Sequence, residues 1–517
     1  MCLTRDRFAN GNIETVITNT LNTSDQISLI ITFIVYLVGM LLIGYWAWTK
    51  TDSSADYFLG GRSLSPWPAA LSAGASDMSG WLLLGLPGYA YLSGLEASWI
   101  AIGLIVGSWL NWRILAKRLR VYSERLGDAI TLPEYFSNRF HDTSRLLQWV
   151  SAIFILLFFL FYTSSGLVAG GKLFSTVFGF SYEWAVIIGC LCIVGYTLFG
   201  GFLAVAWTDL VQGLLMAAAL AVVPIIVWTD LPAGNISDHV HAINPELLNP
   251  FTDNKGTPLT FIAIASLLAW GLGYFGQPHI LTRFAAVRTA ADIKPARRIA
   301  IGWTFIALLC ALSVGLVGLV FTTEQGTSLE DSETIFMVLV SAVFHPVVAG
   351  ILLAAILAAI MSTADSQLLV SSSAFANDLY KALWRRSASP TEVLWVSRIS
   401  VLAISVIATS LALVPGSSVL GLVSYAWAGF GAAFGPALLI SLYWKEMSKY
   451  GALAGIVVGG VVVVLWKQVS GGIFDLYEIV PGFVLSSLAI VVVSKMTPPH
   501  PDVADNHQEI HQTIEKG

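Results

Sequence analysis

The chain has 517 residues, of which 56% are hydrophobic and 11% are charged, and its formal net charge is −5. This composition excludes a soluble globular protein and indicates a polytopic membrane protein. No basic patch is present, so nucleic acid is excluded as a partner.

Long apolar stretches predict an all-α fold with about 13 transmembrane helices, because roughly 20 apolar residues are needed to cross a bilayer. The predicted spans are 26–48, 67–94, 97–114, 147–176, 183–200, 203–229, 258–282, 299–322, 346–375, 394–414, 418–443, 450–467 and 474–495.

The first span follows a polar segment, residues 1–25, and we expect this helix to be retained. A cleaved signal peptide would begin nearer the N-terminus and would be shorter.

Most of the 27 Lys and Arg residues fall in loops after the odd-numbered spans or in the tail, residues 496–517. The positive-inside rule therefore predicts an outside N-terminus and a cytoplasmic C-terminus. The tail is polar and proline-containing, which predicts disorder.

The second span carries a carboxylate, Asp77, together with three serines and four glycines between Leu71 and Gly88. An aspartate at bilayer depth costs roughly 2.5 to 3.5 kcal/mol on insertion scales and is retained where it faces a bundle interior or a watered cavity. Asp77 is therefore a candidate site residue. The glycines and Ser79 favour a helix break, and broken helices in transporters free carbonyl groups to bind small cations.

The sixth span contains Asp209 close to a predicted membrane boundary, shortly after Gly200 and Gly201. Asp209 either caps this helix or serves as an accessory cation ligand, and the sequence leaves both interpretations open.

The seventh span contains the stretch WGLGYFGQPH, Trp270 to His279, in which three glycines and a proline make a continuous helix unfavourable. Aromatic side chains of Trp270, Tyr274 and Phe275 would form an apolar wall beside this break. Gln277 would supply hydrogen-bond donors and acceptors to a solute.

The ninth span carries hydroxyl groups and a carboxylate. Ala359, Ser362, Thr363 and Ser366 share a helix face, with Asp365 beside them. A single hydroxyl in a membrane helix most often bonds the carbonyl four residues earlier. An oxygen-only cluster of this size instead favours a hard cation.

The two interrupted spans, the second and the seventh, are five spans apart. This spacing is expected when two inverted five-helix repeats each begin with a discontinuous helix. The predicted core is then 67–443, with repeats at 67–229 and 258–443, and the peripheral helices are 26–48 and 450–495. We expect the solute to lie between the two breaks.

Several motifs along this region resemble the sodium/solute symporter family, and the likeness is strongest to members that carry proline. It runs from Asp56 to Gly482 through DYFLGGRSL, LSAGASDMSGWLLLGLPG, GGFLAVAWTD, GLGYFGQPHI, ILAAIMST and GLVSYAWAGFGAAFGP. The resemblance implies a LeuT-like core and sodium-coupled uptake of L-proline across the cytoplasmic membrane by alternating access. It implies no enzymatic activity and no obligate protein partner.

The resemblance also implies a sodium site between the first broken helix and the ninth span. Its ligands would be the carbonyl groups of Ala75, Met78 and Ala359 and the hydroxyl groups of Ser362 and Thr363.

For solute binding and coupling, the resemblance points to positions near the two breaks. Arg62 and Asp77 match coupling residues. The positions that match solute binding are Asp77, Ser79, Gly80, Trp81, Tyr162, Trp270, Tyr274 and Pro278.

Some relatives hold a second sodium at positions matching Asp209, Ser362, Asp365 and Ser366. This chain departs from the family pattern at Asp365, where a small or hydroxyl residue is expected. The number of sodium ions is therefore left open.

Two other functions fit the sequence less well. In the first alternative, the transported solute is another small amino or carboxylic acid, and the coupling ion is a proton if Asp77 titrates. A membrane nutrient sensor is the more distant alternative, because the sequence contains no signalling domain. Neither a P-loop nor a catalytic constellation of residues is present, which argues against an ATP-driven pump and an enzyme.

Overall fold

The computed structural model describes residues 23–49, 59–197, 201–231, 234–414 and 416–516. Within these ranges the chain is helical apart from loops and two isolated β-bridges, which confirms the predicted all-α class. Most of the predicted segment 1–25 and the start of the DYFLGGRSL motif lie outside the described residues.

The helices of the first half are α1 Thr23–Trp48, α2 Pro66–Asp77, α3 Leu86–Ser93, α4 Ser98–Leu110, α5 Ala116–Arg125, α6 Leu132–Arg139, α7 Leu146–Phe178, α8 Tyr182–Thr197, α9 Phe202–Asp230 and α10 Ile236–Ile243. Two π-helical turns, Trp81–Gly85 and Asn111–Leu115, precede α3 and α5.

The helices of the second half are α11 Phe261–Leu268, α12 Pro278–Ala286, α13 Ile293–Glu324, α14 Ile335–Val343, α15 Pro346–Ser373, α16 Pro390–Ala412, α17 Val419–Tyr443, α18 Lys449–Trp466, α19 Ile479–Met496 and α20 Pro501–Lys516. A 3-10 segment, Ala269–Gly276, joins α11 to α12, and a π-helical segment, Ala374–Trp384, extends α15.

Ten spans among the described residues are long and apolar enough to cross a membrane, or eleven if the bent pair α11 and α12 is one span. The protein is therefore a multi-pass membrane protein. Each predicted span overlaps a helix. However, one helical stretch, Trp81–Arg125, takes in the end of the second predicted span and the whole of the third, and α8 has only 16 residues. The exact number of 13 and the inverted repeats stay predictions.

Several helices begin at a capping residue followed by proline. Ser65 has an extended conformation before α2, and Pro66 occupies the first turn. Ser389 accepts a hydrogen bond from the Glu392 N–H before α16, where Pro390 follows. The Ser389 hydroxyl thus satisfies a free N–H group, whereas Ser65 makes no side-chain capping bond. Proline loses no hydrogen bond in the first turn, because the N–H groups there have no intrahelical partner.

Two helices, α2 and α15, form the centre of the bundle. Most residues of both are buried, whereas the span in α1 is only 22% buried and that in α19 only 28%. Because α9 and α12 also pack against α2, polar groups on these four helices are hidden from lipid. The centre of the bundle is therefore where polar side chains can be retained.

The C-terminal tail forms the helix α20, so the expectation of disorder was wrong. Its Val503 and Ile510 side chains are buried. The Arg139 guanidinium donates to the Val503 carbonyl at 3.1 Å, and the His507 Nδ1 lies 2.7 Å from the Tyr122 hydroxyl. Burial and the positive charge of Arg139 lower the pKa of His507 to about 4. An apolar stripe and backbone contacts therefore hold this polar segment against the bundle.

The two ends of the bundle differ. We define the basic end as the end that carries the loop 59–65 and the region 111–145. There, Leu64 forms a parallel bridge with Val287, just after α12. A cavity lies at this end, lined by Pro278 and Thr282 among others.

At the opposite end, Lys172 of α7 contacts the carboxylates of Glu333 and Asp331, at 2.6 and 2.5 Å. Glu333 also accepts hydrogen bonds from the N–H groups of Val419 and Leu420. These contacts hold the start of α17 against the segment between α13 and α14.

Candidate functional site

The second span is broken after Asp77. Helix α2 ends there, and Met78 leaves the helical conformation with φ −90° and ψ 79°. A π-helical turn begins at Trp81 and continues into α3. The break leaves carbonyl groups at the end of α2 without intrahelical partners, so they are available to neighbouring helices.

Four of the groups predicted to bind sodium meet at this break. Ser362 donates hydrogen bonds to the carbonyl oxygens of Ala75 at 2.8 Å and Ala359 at 3.1 Å. Thr363 donates to the same Ala75 oxygen at 3.3 Å. We call these four residues the Ala75 cluster. All four are buried, as is Met78, which lies at the same break.

The Ala75 cluster contains two carbonyl and two hydroxyl oxygens and no charged group. Hard cations take ligands of this kind. A hydroxyl group presents a lone pair to a cation once its proton rotates away from the carbonyl it now contacts. The cluster therefore fits a small monovalent cation without a carboxylate ligand.

The seventh span is also broken, and α11 and α12 meet at 48°. The glycines of this stretch serve close packing. A Cβ atom on Gly271 would overlap the backbone of Gly103 in α4, and one on Gly273 would overlap the indole of Trp427. The broken seventh span therefore packs tightly against α4 and α17.

Three aromatic side chains converge on Asp77. The Tyr274 hydroxyl donates to Asp77 Oδ2 at 2.6 Å. The backbone oxygen of Asp77 accepts hydrogen bonds from the Tyr162 hydroxyl at 3.0 Å and from the Trp81 indole at 3.2 Å. The two breaks and α7 thus meet at one residue, Asp77, which lies between the breaks where the site is predicted.

Trp270 lies at the edge of this group. Its ring centroid is 6.2 Å from that of Trp81, and its carbonyl accepts a hydrogen bond from the Trp427 indole at 2.7 Å. The Trp427 ring also meets the Tyr274 ring edge-on at 5.1 Å. Trp427 was not singled out in the sequence, although it lies in the GLVSYAWAGFGAAFGP motif.

The remaining residues predicted to bind solute make other contacts. The Gln277 amide donates to the carbonyl groups of Gly273 and Trp427, at 3.1 and 3.2 Å. Pro278 is the first residue of α12 and lines the cavity at the basic end. Ser79 and Gly80 are buried at the first break, where a Cβ atom on Gly80 would lie 2.7 Å from Ala169 of α7.

A second polar cluster surrounds Asp209. Its Oδ2 atom accepts hydrogen bonds from the hydroxyls of Ser72 at 2.6 Å and Ser76 at 2.9 Å, and from the guanidinium of Arg283 at 3.1 Å. Arg283 also donates to Ser366 Oγ at 2.5 Å. We call Ser72, Ser76, Asp209, Arg283 and Ser366 the Arg283 cluster.

The helix-capping interpretation of Asp209 is wrong. Gly201 is the capping residue of α9, and Asp209 lies about two turns further along. Asp365 lies beside the cluster. Its Oδ1 atom is 3.4 Å from Ser366 Oγ, and its buried Oδ2 atom has no hydrogen-bond partner among the described residues.

Arg62 lies at the basic end. Its backbone has a left-handed φ of 52°, and its guanidinium donates to Asp128 Oδ1 at 2.7 Å and to the Ala285 carbonyl at 2.6 Å. It thus links the loop before α2 to the end of α12. This position is compatible with the coupling role that the resemblance implies for Arg62.

The sequence did not single out Arg283. It lies one residue beyond the predicted end of the seventh span, 258–282, and was counted among the loop charges. The structure buries it, with 1% of its surface exposed. The available signal was the four-residue spacing between His279 and Arg283, which places both on one face of a helix.

Comparison with known proteins gives a family match over most of the chain. The sodium:solute symporter family model matches residues 57–459. The chain is 50% identical over 478 residues to the high-affinity proline transporter PutP of Bacillus subtilis, covering 92% of this chain and 100% of that protein. It is 51% identical over 470 residues to the sodium/proline symporter of Escherichia coli, covering 90% and 92%.

Two solved structures share the fold. A Na⁺-coupled sialic acid symporter, substrate-bound and outward-open, aligns with a TM-score of 0.75 at 20% identity, over 91% of this chain and 98% of that chain. The nucleobase-cation-symport-1 family transporter Mhp1, in a closed conformation, aligns with a TM-score of 0.52 at 12% identity, over 89% and 100%.

Proposed function

The chain belongs to the sodium:solute symporter family, and we propose that it couples Na⁺ entry to the uptake of L-proline across the cytoplasmic membrane. Members of this family are transporters, so the protein is not an enzyme. Proline is the solute named for relatives at about half identity over nearly the whole chain.

The Ala75 cluster is the proposed sodium site, and it is the observation on which this proposal rests most. The Ser362 and Thr363 hydroxyls of α15 already reach the Ala75 carbonyl at the break of α2. Na⁺ between these oxygen atoms would replace the two hydrogen bonds to Ala75 with ion–oxygen contacts, and so hold α2 against α15. We assign the Met78 carbonyl as an additional ligand.

The proposed solute site lies beside Asp77. Proline is a zwitterion, so its charged groups need hydrogen-bond partners while its ring needs an apolar wall. Asp77 and the hydroxyl groups of Tyr162 and Tyr274 supply the first, and the rings of Trp81 and Trp270 supply the second. Ser79, Gly80, Gln277 and Pro278 would complete this site.

Coupling follows from the short distance along α2 between the two sites. Ala75 contacts the proposed ion site, and Asp77, two residues later, contacts Tyr274 of the other broken span. An ion that binds more tightly when α2 and α15 are in contact would favour the conformation in which Asp77 and Tyr274 form the solute site. Differential affinity of this kind is what links two ligands thermodynamically.

We propose that the basic end faces the cytoplasm, because positive charge is retained on that side. The cavity lined by Pro278 would then lie on the release side. One Na⁺ entering down about 100 mV gains roughly 2.3 kcal/mol. A tenfold gradient adds about 1.4 kcal/mol, and the sum permits roughly 500-fold accumulation of a neutral solute.

Uptake of radiolabelled proline by proteoliposomes tests this proposal. We expect uptake with an inward sodium gradient and none with choline at the same pH. Equal uptake in choline would overturn sodium coupling. Unlabelled amino and carboxylic acids in excess define the solute, and proline should compete more strongly than the others.

The same vesicles distinguish proton coupling. An inward pH gradient without sodium should drive no uptake. Uptake under those conditions would favour Asp77 as a proton carrier instead of the Ala75 cluster as an ion site.

A further inference from the structure

Arg283 is a buried cation at the meeting point of four helices. It lies on α12, and its guanidinium donates to Ser72 of α2 at 3.0 Å, to Asp209 of α9 at 3.1 Å and to Ser366 of α15 at 2.5 Å. A further hydrogen bond goes to the carbonyl of His279 at 2.8 Å. The side chain is therefore fixed by hydrogen bonds on several sides.

The guanidinium occupies the place at which the sequence predicts a second sodium. That prediction rested on Asp209, Asp365 and Ser366, and Arg283 contacts two of the three. A metal ion bound to Asp209 and Ser366 together would have to share their oxygen atoms with a positively charged nitrogen. A metal ion and a guanidinium that share ligand oxygen atoms would lie within a few ångströms of each other, and two positive charges that close in a buried site repel strongly.

The ion pair with Asp209 supports the same conclusion. The Asp209 carboxylate is completely buried, and Arg283 is the cation in contact with it among the described residues, whereas Asp365 beside the cluster forms no ion pair there. The Ala75 cluster, one helical turn away along α15, contains neutral oxygens and no built-in cation. The two clusters are joined through Ser76, which follows Ala75 and contacts both Asp209 and Ser366.

We propose that Arg283 is a tethered cation that fills the second ion position, so that the protein binds one sodium ion and not two. This inference rests on the proposed sodium coupling. Arg283 is a positioning residue: it ties α2, α9 and α15 together, as a mobile second ion would, but it does not leave during transport. Removing its charge converts the cluster into a second sodium site built from Asp209, Asp365 and Ser366.

Equilibrium binding of radioactive sodium to the purified full-length protein tests the proposal. Wild-type protein should bind one ion with a non-cooperative curve. Arg283→Gln should bind two, whereas Arg283→Lys, which keeps a tethered cation, should bind one. Two ions in the wild-type protein, or one in Arg283→Gln, would overturn the proposal.

A charge-neutral double variant keeps the test decisive if Arg283→Gln does not fold. Asp209→Asn combined with Arg283→Gln removes both charges of this ion pair. It should bind one sodium with a half-saturating concentration within about twofold of the wild-type value. Loss of sodium binding in this variant would show that Asp209 is a ligand of the transported ion, contrary to the proposal.

The outcomes also separate this inference from the function on which it rests. Wild-type protein that binds no sodium would overturn both. Wild-type protein that binds two ions and still accumulates proline with sodium would overturn only the role of Arg283.

Discussion

The Ala75 cluster and the Arg283 cluster lie one helical turn apart between α2 and α15, yet their chemistry differs. The first offers only neutral carbonyl and hydroxyl oxygens. The second contains a buried carboxylate paired with a guanidinium at 3.1 Å. The same two helices therefore hold an uncharged site and a site whose cation is part of the chain.

Under the proposed function, one interface therefore serves two purposes. A neutral site binds a monovalent cation weakly enough to release it, because no carboxylate holds the ion. A buried ion pair is kept, because separating it leaves a charge without a partner in a poorly solvated interior. We infer that the Ala75 cluster exchanges its cation during transport and the Arg283 cluster does not.

Removing Arg283 without a replacement charge should have the largest effect on stability. Arg283→Leu leaves the Asp209 carboxylate buried without a cation, and breaking a buried pair in this way costs about 3 to 5 kcal/mol. The measurement is the free energy of unfolding in detergent micelles at low sodium.

The matched control is Arg283→Leu combined with Asp209→Leu, which replaces the pair by apolar side chains. We expect it to recover most of the lost stability, since such replacements are often neutral. An equally unstable double variant would mean that the ion pair is not the source of the loss.

Loss of a sodium ligand should have the next largest effect, and on sodium affinity. Thr363→Ala removes a hydroxyl from the Ala75 cluster. A contact to a charged group is worth about 1.5 to 3 kcal/mol, so the half-saturating sodium concentration for uptake should rise roughly 10- to 150-fold.

Ser366→Ala is the control for this substitution, because Ser366 lies on the same face of α15 but contacts Arg283. It should leave the sodium dependence of uptake within about twofold of the wild-type value. A larger shift in Ser366→Ala than in Thr363→Ala would reverse the roles of the two clusters.

Trp270→Ala should weaken solute binding and leave sodium binding unchanged. The indole forms part of the apolar wall beside Trp81, and its loss should raise the half-saturating proline concentration about tenfold at saturating sodium. Trp384→Ala, at an exposed tryptophan, is the control. A wild-type proline dependence in Trp270→Ala would exclude Trp270 from the solute site.

The smallest expected effect is a pH-dependent release of α20 from the basic end. The pKa of His507 is about 4 in the folded protein, below the usual value of 6.5. The unfolded or undocked tail therefore binds a proton more readily, so docking is complete above about pH 6.5 and weakens as the pH falls toward 4. The charged and titratable groups around His507 are Tyr122, Arg118, Arg139, Lys445 and His511.

Hydrogen exchange of α20 amides measures this release. Exchange, corrected for its intrinsic pH dependence, should increase between about pH 7 and pH 5 in the wild-type protein. In His507→Gln, which cannot be protonated in this range, the corrected rate should stay constant. The same increase in both proteins would exclude His507 as its cause.

Two parts of the Ala75 cluster could be predicted from local sequence, whereas its assembly as a sodium site came from the family resemblance. Glycine and serine mark the break after Asp77, and the hydroxyls at 362 and 363 lie on the face of α15 that contains Ala359. The contact between these two helices came from family resemblance. The charge pattern alone could not supply it.

The Arg283 cluster could not be predicted in the same way. Arg283 and Asp209 are 74 residues apart in the chain, and an arginine just past a span boundary resembles a topological anchor. The tail was misjudged for a related reason. It has only two buried apolar residues among those described, Val503 and Ile510. Two apolar residues in a polar segment do not predict a packed helix, because the surface they pack against cannot be read from the sequence.

The most direct test of the account is the accumulation of proline at steady state as the sodium gradient across proteoliposomes is varied at zero membrane potential. One mobile sodium per solute predicts that the logarithm of the accumulation ratio rises with the logarithm of the sodium gradient with a slope of about one. A slope near two would contradict the tethered role of Arg283, and a slope near zero would contradict sodium coupling itself.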